Sequence, residues 1–225
     1  MITACFGLHK SASTYTWQIT SKILLHHFDG NVIHSRDVVK IGKDFLDEYI
    51  EHVQSANCAI VQKTHSRGDR DVVKMAESGH LKVIANIRDP RDIALSMIDA
   101  GIVERSKGHK NAMSEVVEFE DTIHAIQRDI DRLDWWSQKT NPLIVKYNDV
   151  CFEPEAAVEA ISVFLTGKPI PEETSREILS SIPKNGIRFN VGKLDRYKSE
   201  MSDDKSEMIL DIFQDFYRKY DLPTS

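Results

Sequence analysis

The chain has 225 residues, 41% hydrophobic and 28% charged, with a formal net charge of −6 and a pI near 5.8. This is the composition of an ordinary globular protein with enough chain for a real core, and we expect a single domain over residues 1–225. The acidic balance argues against a nucleic-acid binder relying on bulk electrostatics, though not against a local basic pocket for an anion. No apolar stretch is long enough to span a bilayer, and the N-terminus lacks the basic and apolar regions of a signal peptide, so the expected location is cytoplasmic.

Short β-like runs alternate with amphipathic segments along the chain. Strands are expected at Ile2–Gly7, Asn31–His34, Cys58–Gln62, Leu81–Ile87 and Pro142–Lys146. Helices are expected at Tyr15–Phe28, Lys43–Val53, Asp71–Ser78, Pro90–Gly101, Ser114–Thr140, Pro154–Leu165, Glu172–Ser181 and Asp203–Tyr220. The helical spacing of Phe45, Tyr49, Ile50 and Val53 supports the second of these; that of Val116, Phe119, Ile123, Ile126, Ile130 and Leu133 supports the fifth. Asp89-Pro90 supplies a helix start. The runs Cys58–Val61 and Val83–Ile87 scarcely alternate, as suits strands buried on both faces. The fold class is therefore α/β, three layers α/β/α around a central, mostly parallel sheet. Ile182–Ser202, with Pro183, Gly186 and Gly192, reads as a long basic loop before the last helix.

Cys5, Cys58 and Cys151 lie far apart in sequence, with neither metal spacing nor a disulfide framework. Cys5 and Cys58 fall in apolar runs as packed thiols, which fits a reducing compartment. The nine histidines form no zinc pattern, His26-His27 falls on a helix surface, and no metal is expected. In Trp135-Trp136, at least one ring suits the core, and the pair otherwise marks a partner surface.

The stretch "FGLHKSASTYTW", residues 6 to 17, carries the first chemical signal. An apolar strand runs into Gly7, then Lys10 and the hydroxyls Ser11, Ser13 and Thr14 precede a helix. Such a junction gathers unsatisfied N–H groups and the positive end of a helix dipole, so it suits an anion. The alternative is a helix capped by Ser11 or Ser13, with Lys10 solvated. No glycine precedes the lysine, so GxxxxGK[ST] is not matched.

The order Lys10-Ser11-Ala12-Ser13-Thr14-Tyr15 resembles the phosphosulfate-binding loop P-K-[ST]-G-[ST]-[ST]-[WY] of sulfotransferases, with His9 in place of the proline and Ala12 in place of the glycine. "IANIRDPRDIALSMI", residues 84 to 98, is similar to the R-[ND]-P-R-D-x-x-x-S segment of the same family. The resemblance implies that Arg88 and Ser96 hold the 3′-phosphate of 3′-phosphoadenylyl sulfate (PAPS), a co-substrate needing no metal. A guanidinium fork and a hydroxyl suit phosphate oxygens, while Arg88 paired with Asp89 or Asp92 is the structural alternative. Arg91 and Asp92 are expected to cap or pair.

"IVQKTHSRG", residues 60 to 68, ends a strand at the edge where open parallel sheets bind ligands. Lys63-Thr64-His65 resembles the K-T-H of cytosolic sulfotransferases, which implies His65 as general base and places Lys63 at the transferring group or packed beside it. A carboxylate in the acceptor pocket is the alternative base. "PLIVKYNDVCFEPEAAVEAISVFL", residues 142 to 165, resembles the family's strand, turn and helix, and implies Tyr147 near the adenine. "NVGKLDRYKSEMS", residues 190 to 202, is similar to the segment that closes over the nucleotide. There Gly192, Tyr197 and Lys198 fit, and Arg188, Lys193 or Arg196 supplies the charge.

The resemblance implies a P-loop NTPase-like sulfotransferase fold and transfer of a sulfuryl group from PAPS to a hydroxyl or amine of a small-molecule or glycan acceptor. Lys10 would stabilise the leaving phosphate, with Ser11, Ala12, Ser13, Thr14 and Tyr15 lining the loop. The acceptor pocket would come from His34–Lys43, Ser66–Arg70 and Ile102–Met113. The chain is short for a cytosolic sulfotransferase, and a homodimer is one way to complete that pocket. The alternatives are a P-loop kinase of a small molecule and a sulfotransferase-like nucleotide binder without catalysis.

Overall fold

The computed structural model describes residues 1–35, 57–68, 70–183 and 193–224. Among these, the strands are β1 (Ile2–Gly7), β2 (Val32–Ser35), β3 (Ala59–Thr64), β4 (Leu81–Ile87) and β5 (Leu143–Lys146). All pair in parallel in the order β2-β3-β1-β4-β5. The helices are α1 (Ser13–His27), α2 (Arg70–Glu77), α3 (Pro90–Ser106), α4 (Phe119–Lys139), α5 (Tyr147–Phe152), α6 (Pro154–Thr166), α7 (Glu172–Ser181), α8 (Tyr197–Glu200), α9 (Asp203–Ile212) and α10 (Gln214–Tyr220).

Successive strand residues point to opposite faces, and the core divides accordingly. Ala4 and Phe6 of β1, Ile60 of β3 and Val83, Ala85 and Ile87 of β4 pack with residues of α2, α3, α4, α9 and α10. Cys5, Ala59, Val61 and Ile84 face the other way, onto α1, α6 and α7. Buried on both sides, these strands have no reason to alternate in polarity, which is why their sequence runs are continuous. The expected α/β layering with a central parallel sheet is what the structure has. Burial also pushes the Cys5 thiol up to about 12, so it is an inert packing group. No helix among the described residues is long and apolar enough to cross a membrane.

Several expected boundaries shift, each for a local reason. The helix expected to end at Gly101 runs on to Ser106. Gly101 is there for close approach rather than as a stop, since a Cβ would lie 2.5 Å from the Val116 carbonyl oxygen. The helix expected from Ser114 starts at Phe119, because the Ser114 hydroxyl is spent on a turn with Asn111 while Asp121 accepts from the Val117 and Glu118 N–H groups. The turn expected after β5 is the short helix α5. The last expected helix breaks at Phe213, which lets Ile209 and Phe213 on one side and Phe216 and Tyr217 on the other all reach the core. Part of the long loop before it forms α8. The helix expected over Lys43–Val53 lies outside the described residues.

The β4–α3 junction fastens the C-terminal helices to the sheet. Asp89 caps α3 by accepting from the Arg91 N–H at 2.8 Å, and its carboxylate takes Arg91 Nε at 3.1 Å and Nη2 at 2.8 Å. Tyr217 donates its hydroxyl to Asp89 at 2.7 Å, and Arg91 donates to the Pro223 carbonyl at 2.6 Å. Arg91 is fully buried, with its guanidinium 3.5 Å from the centre of the Tyr197 ring. A buried ion pair keeps its charges only while every remaining lone pair is met. Tyr217→Phe removes one donor from the Asp89 carboxylate and should cost about 1.5–3 kcal/mol, read as a lower urea midpoint with unchanged slope.

Candidate active site

The parallel register brings the ends of β1, β3 and β4 to one edge of the sheet, with Phe6 beside Thr64 and Gly7 beside Asn86. From there the chain turns sharply into α1. Leu8 still donates to the Asn86 carbonyl at 3.1 Å, and Ser11 folds back to donate its hydroxyl to the Leu8 carbonyl at 2.6 Å. Lys10 (φ 65°) and Ala12 (φ 64°) both adopt left-handed backbone. For residues with a Cβ this costs roughly 1–2 kcal/mol each. Such backbone turns successive N–H groups toward a common point, an anion-binding concavity. Ala12 occupies the N-cap position of α1 and offers no side-chain acceptor, so the capping role that Ser11 or Ser13 could have played goes unfilled. The Tyr15 N–H is taken by the Ala12 carbonyl at 2.8 Å, whereas the Ser13 and Thr14 N–H groups at the helix start meet no partner among the described residues and are left for an anion, beside Lys10.

Gly7 makes the turn sterically feasible. A Cβ there would stand 2.4 Å from Ser13 Cβ and 3.1 Å from Ser11 Oγ. Its carbonyl also accepts from His65 Nδ1 at 2.7 Å, tying the end of β3 to the loop. Since a carbonyl only accepts, Nδ1 carries the proton and Nε2 presents a lone pair, which Lys63 Nζ meets at 2.8 Å. Both nitrogens of His65 are thus engaged. Burial, with His9 and Lys63 nearby, pushes its pKa down to about 3.

The His9 ring lies flat on His65, with centroids 4.3 Å apart and planes 13° from parallel. Asp129 of α4 accepts from both the His9 backbone N–H and His9 Nδ1, each at 2.7 Å to Oδ2. Its other oxygen accepts from Arg132 at 3.2 Å. Sequence reasoning noticed His9 only as a substitution for proline and missed Asp129 altogether. Nothing local marks one aspartate among several on α4 as a partner for a histidine 120 positions earlier.

Arg88 leaves β4 buried against α3. It donates to Asp92 at 3.1 Å and to the Lys10 carbonyl at 3.2 Å, and its guanidinium carbon lies 3.8 Å from the centre of the Tyr147 ring. Its Nε is buried and finds no partner among the described residues. Asp92, held also by the Tyr197 N–H, has its carboxyl pushed up by burial against the opposing pull of Arg88. A cavity of ≈ 250 Å³ opens beside them, lined by Arg88, Asp92, Tyr147, Asn148, Asp149 and Leu222 among others.

Lys10, Ser11, Ala12, Ser13, Thr14 and Tyr15 therefore share one loop and helix start, Arg88 joins them through the Lys10 carbonyl, and Tyr147 joins through Arg88. Ser96 is 1% exposed inside α3 and makes no hydrogen bond to the others. Lys193 is exposed, near Glu200. Arg196 is committed to Asp99 at 2.9 Å and Glu200 at 2.6 Å, while Lys198 pairs with Asp195 at 3.2 Å. Arg188, Gly192 and most of His34–Lys43 lie outside the described residues. Trp136 is buried and donates to the Ser66 carbonyl at 3.0 Å. No cluster of three or more His, Cys, Asp or Glu among the described residues is arranged to hold a metal.

The depressed His65 sets a pH dependence of stability. Between its folded value of about 3 and the ordinary 6.5, the unfolded chain binds a proton that the folded chain refuses, so stability rises with pH across that window. The melting-temperature advantage of wild type over His65→Gln should be full above about pH 6.5 and shrink as the pH falls toward about 3. A constant gap would contradict the buried, neutral ring.

A sulfotransferase domain family model matches residues 6–218. No curated protein matches the chain in a sequence comparison. Among solved structures, retinol dehydratase in complex with androsterone and the inactive cofactor PAP superposes with a TM-score of 0.62 at 14% identity, over 96% of this chain and 80% of that one. Mouse sulfotransferase SULT7A1 complexed with PAP gives a TM-score of 0.62 at 13% identity, over 98% of this chain and 86% of that one. At such identities the structures speak for the fold. The family model, which runs from the end of β1 to α10 and takes in the turn, the β3 end and the β4–α3 junction, speaks for descent: the chain belongs to the sulfotransferase family.

Proposed function

We propose that the chain moves the sulfuryl group of PAPS to a hydroxyl or amine of a small-molecule or glycan acceptor. The observation that carries this reading is the turn between β1 and α1, where two left-handed residues, Lys10 and Ala12, lead into an uncapped helix start. The PAP bound in the structures of the similar folds supports the donor, and the retinol and androsterone of retinol dehydratase support a small-molecule acceptor. One domain spanning 1–225 fits the reading. The buried free thiols Cys5 and Cys58 fit a reducing, cytoplasmic setting.

The fit to such a donor rests on groups left unmet in the protein itself. Arg88 has a buried Nε without a partner among the described residues, and a phosphate oxygen would supply one. In this reading Arg88 and Ser96 hold the 3′-phosphate, Tyr147 backs the guanidinium near the adenine, and Arg188, Gly192 and Lys193 close over the nucleotide. Lys10, with Ser11, Ala12, Ser13, Thr14 and Tyr15 around it, balances the charge that builds on the phosphate as the sulfur–oxygen bond breaks. Lys63 serves the sulfuryl oxygens. The acceptor's proton goes to one of the two stacked imidazoles, His9 and His65; the resemblance of Lys63-Thr64-His65 would make His65 the base, which requires Lys63 to release Nε2 first.

Purified protein should melt at a higher temperature with PAP than with the same concentration of ATP, and should transfer sulfuryl from PAPS to a member of an acceptor panel. Stabilisation by ATP and magnesium alone would favour a kinase; PAP binding without turnover would favour a nucleotide binder. Arg88→Ala should weaken 3′,5′-ADP by about 1.5–3 kcal/mol, roughly 10- to 150-fold, and leave 5′-AMP nearly unchanged in calorimetry. Equal losses for both nucleotides would remove Arg88 from the 3′-phosphate.

A further inference from the structure

The second imidazole differs from the first in what its nitrogens do. His65 has Nδ1 on the Gly7 carbonyl and Nε2 on Lys63. His9 has Nδ1 on Asp129, and its Nε2 is bound to no described residue. A carboxylate cannot donate, so Nδ1 carries a proton, and in the neutral imidazole the lone pair is then on Nε2. The Asp129 side chain is 2% exposed, whereas His9 is 26% exposed, so the orienting carboxylate is inside and the ring reaches the surface of the site. Asp129 also grips the backbone N–H of His9, fixing ring and chain together, and Arg132 holds its other oxygen. A buried carboxylate that selects the imidazole tautomer and faces the charge the ring later acquires is the orienting pair of a general base.

We infer that His9, oriented by Asp129, is the general base of this enzyme, with His65 holding Lys63 in place for the sulfuryl oxygens. This rests on the sulfuryl-transfer reading. His9 Nε2 takes the acceptor's proton while the acceptor oxygen or nitrogen bonds to sulfur. The sulfur–oxygen bond to the phosphate breaks, and its electron pair leaves on the phosphate beside Lys10. The imidazolium then returns its proton to water. The stacking at 4.3 Å places the two rings side by side at the end of β3, so Lys63 need not abandon Nε2 before the proton can move. Asp129 is a positioning residue.

Two measurements test the assignment. Carbethoxylation followed by peptide mass spectrometry should label His9 before His65, because Lys63 holds the Nε2 of His65 whereas that of His9 meets no partner among the described residues; the reverse order overturns the inference. In steady-state kinetics, His9→Ala should lower kcat roughly 10²–10⁴-fold with PAP affinity within about twofold of wild type, and added imidazole should restore part of the loss. Asp129→Asn, which keeps the side-chain shape, should lower kcat with little change in the acceptor KM, and imidazole should not restore it because His9 still fills the space. A folded His9→Ala protein turning over within threefold of wild type overturns this inference while leaving sulfuryl transfer intact. A wild-type protein that binds PAP but transfers nothing overturns the functional reading, and this one with it.

Discussion

The approach of α1 to the end of β1 constrains everything at the site. Gly7 has no Cβ, and one would overlap Ser13 at 2.4 Å. Without that approach Ser11 could not reach back to the Leu8 carbonyl, and the left-handed turn at Lys10 and Ala12 would not close. The same residue offers its carbonyl to His65, so one position sets both the anion-binding turn and the orientation of the imidazole at the next strand end. Backbone in the left-handed region is unfavourable for Lys10 and Ala12. It persists because the strand pairing of Leu8 with Asn86 and the buried Ser11 hold it on both sides.

Two neighbouring arginines divide their work by environment. Arg91 and Asp89 are matched within the protein, with Tyr217, Tyr197 and Pro223 completing their shells, so the pair reads as the fastening of the C-terminal helices. Arg88, three residues earlier, is buried too but keeps an Nε unmet among the described residues, beside a cavity. A buried donor without a partner costs free energy comparable to a lost hydrogen bond, and it is better explained by a ligand than by packing. Asp92 restrains Arg88 in the meantime, its own carboxyl pulled one way by burial and the other by the guanidinium.

On the proposed reading, the β3 end separates two jobs that one histidine would otherwise share. An imidazole that fixes a lysine cannot at the same moment offer that nitrogen to an acceptor. With His9 stacked on His65 and anchored from α4, the loop, the strand and the long helix each contribute one group to the same few ångströms. The carboxylate that helps is buried, where its interaction with a charged ring is least screened.

Much of this was legible in the sequence because it is local. Uninterrupted apolar runs with helical segments between them dictate a parallel sheet covered on both faces, and β1, β4 and α7 have the expected bounds. A lysine followed by hydroxyls after a glycine, an arginine leaving a strand at Asp89-Pro90, and Lys63-Thr64-His65 at a strand end each depend on residues within one turn or one strand. Local patterns were less reliable at Gly101 and Ser114, where a distant carbonyl and a side-chain turn overrode the usual signals. The commitment of Arg196 to Asp99 and the pairing of His9 with Asp129 were invisible in the sequence. Those depend on how helices dock against strand ends many residues away. The order of residues along the chain determined which groups stand at the edge of the sheet. Only the tertiary structure decided which of them are already bonded and which nitrogen has no partner among the described residues, because hydrogen-bond partners are allotted by distance in space.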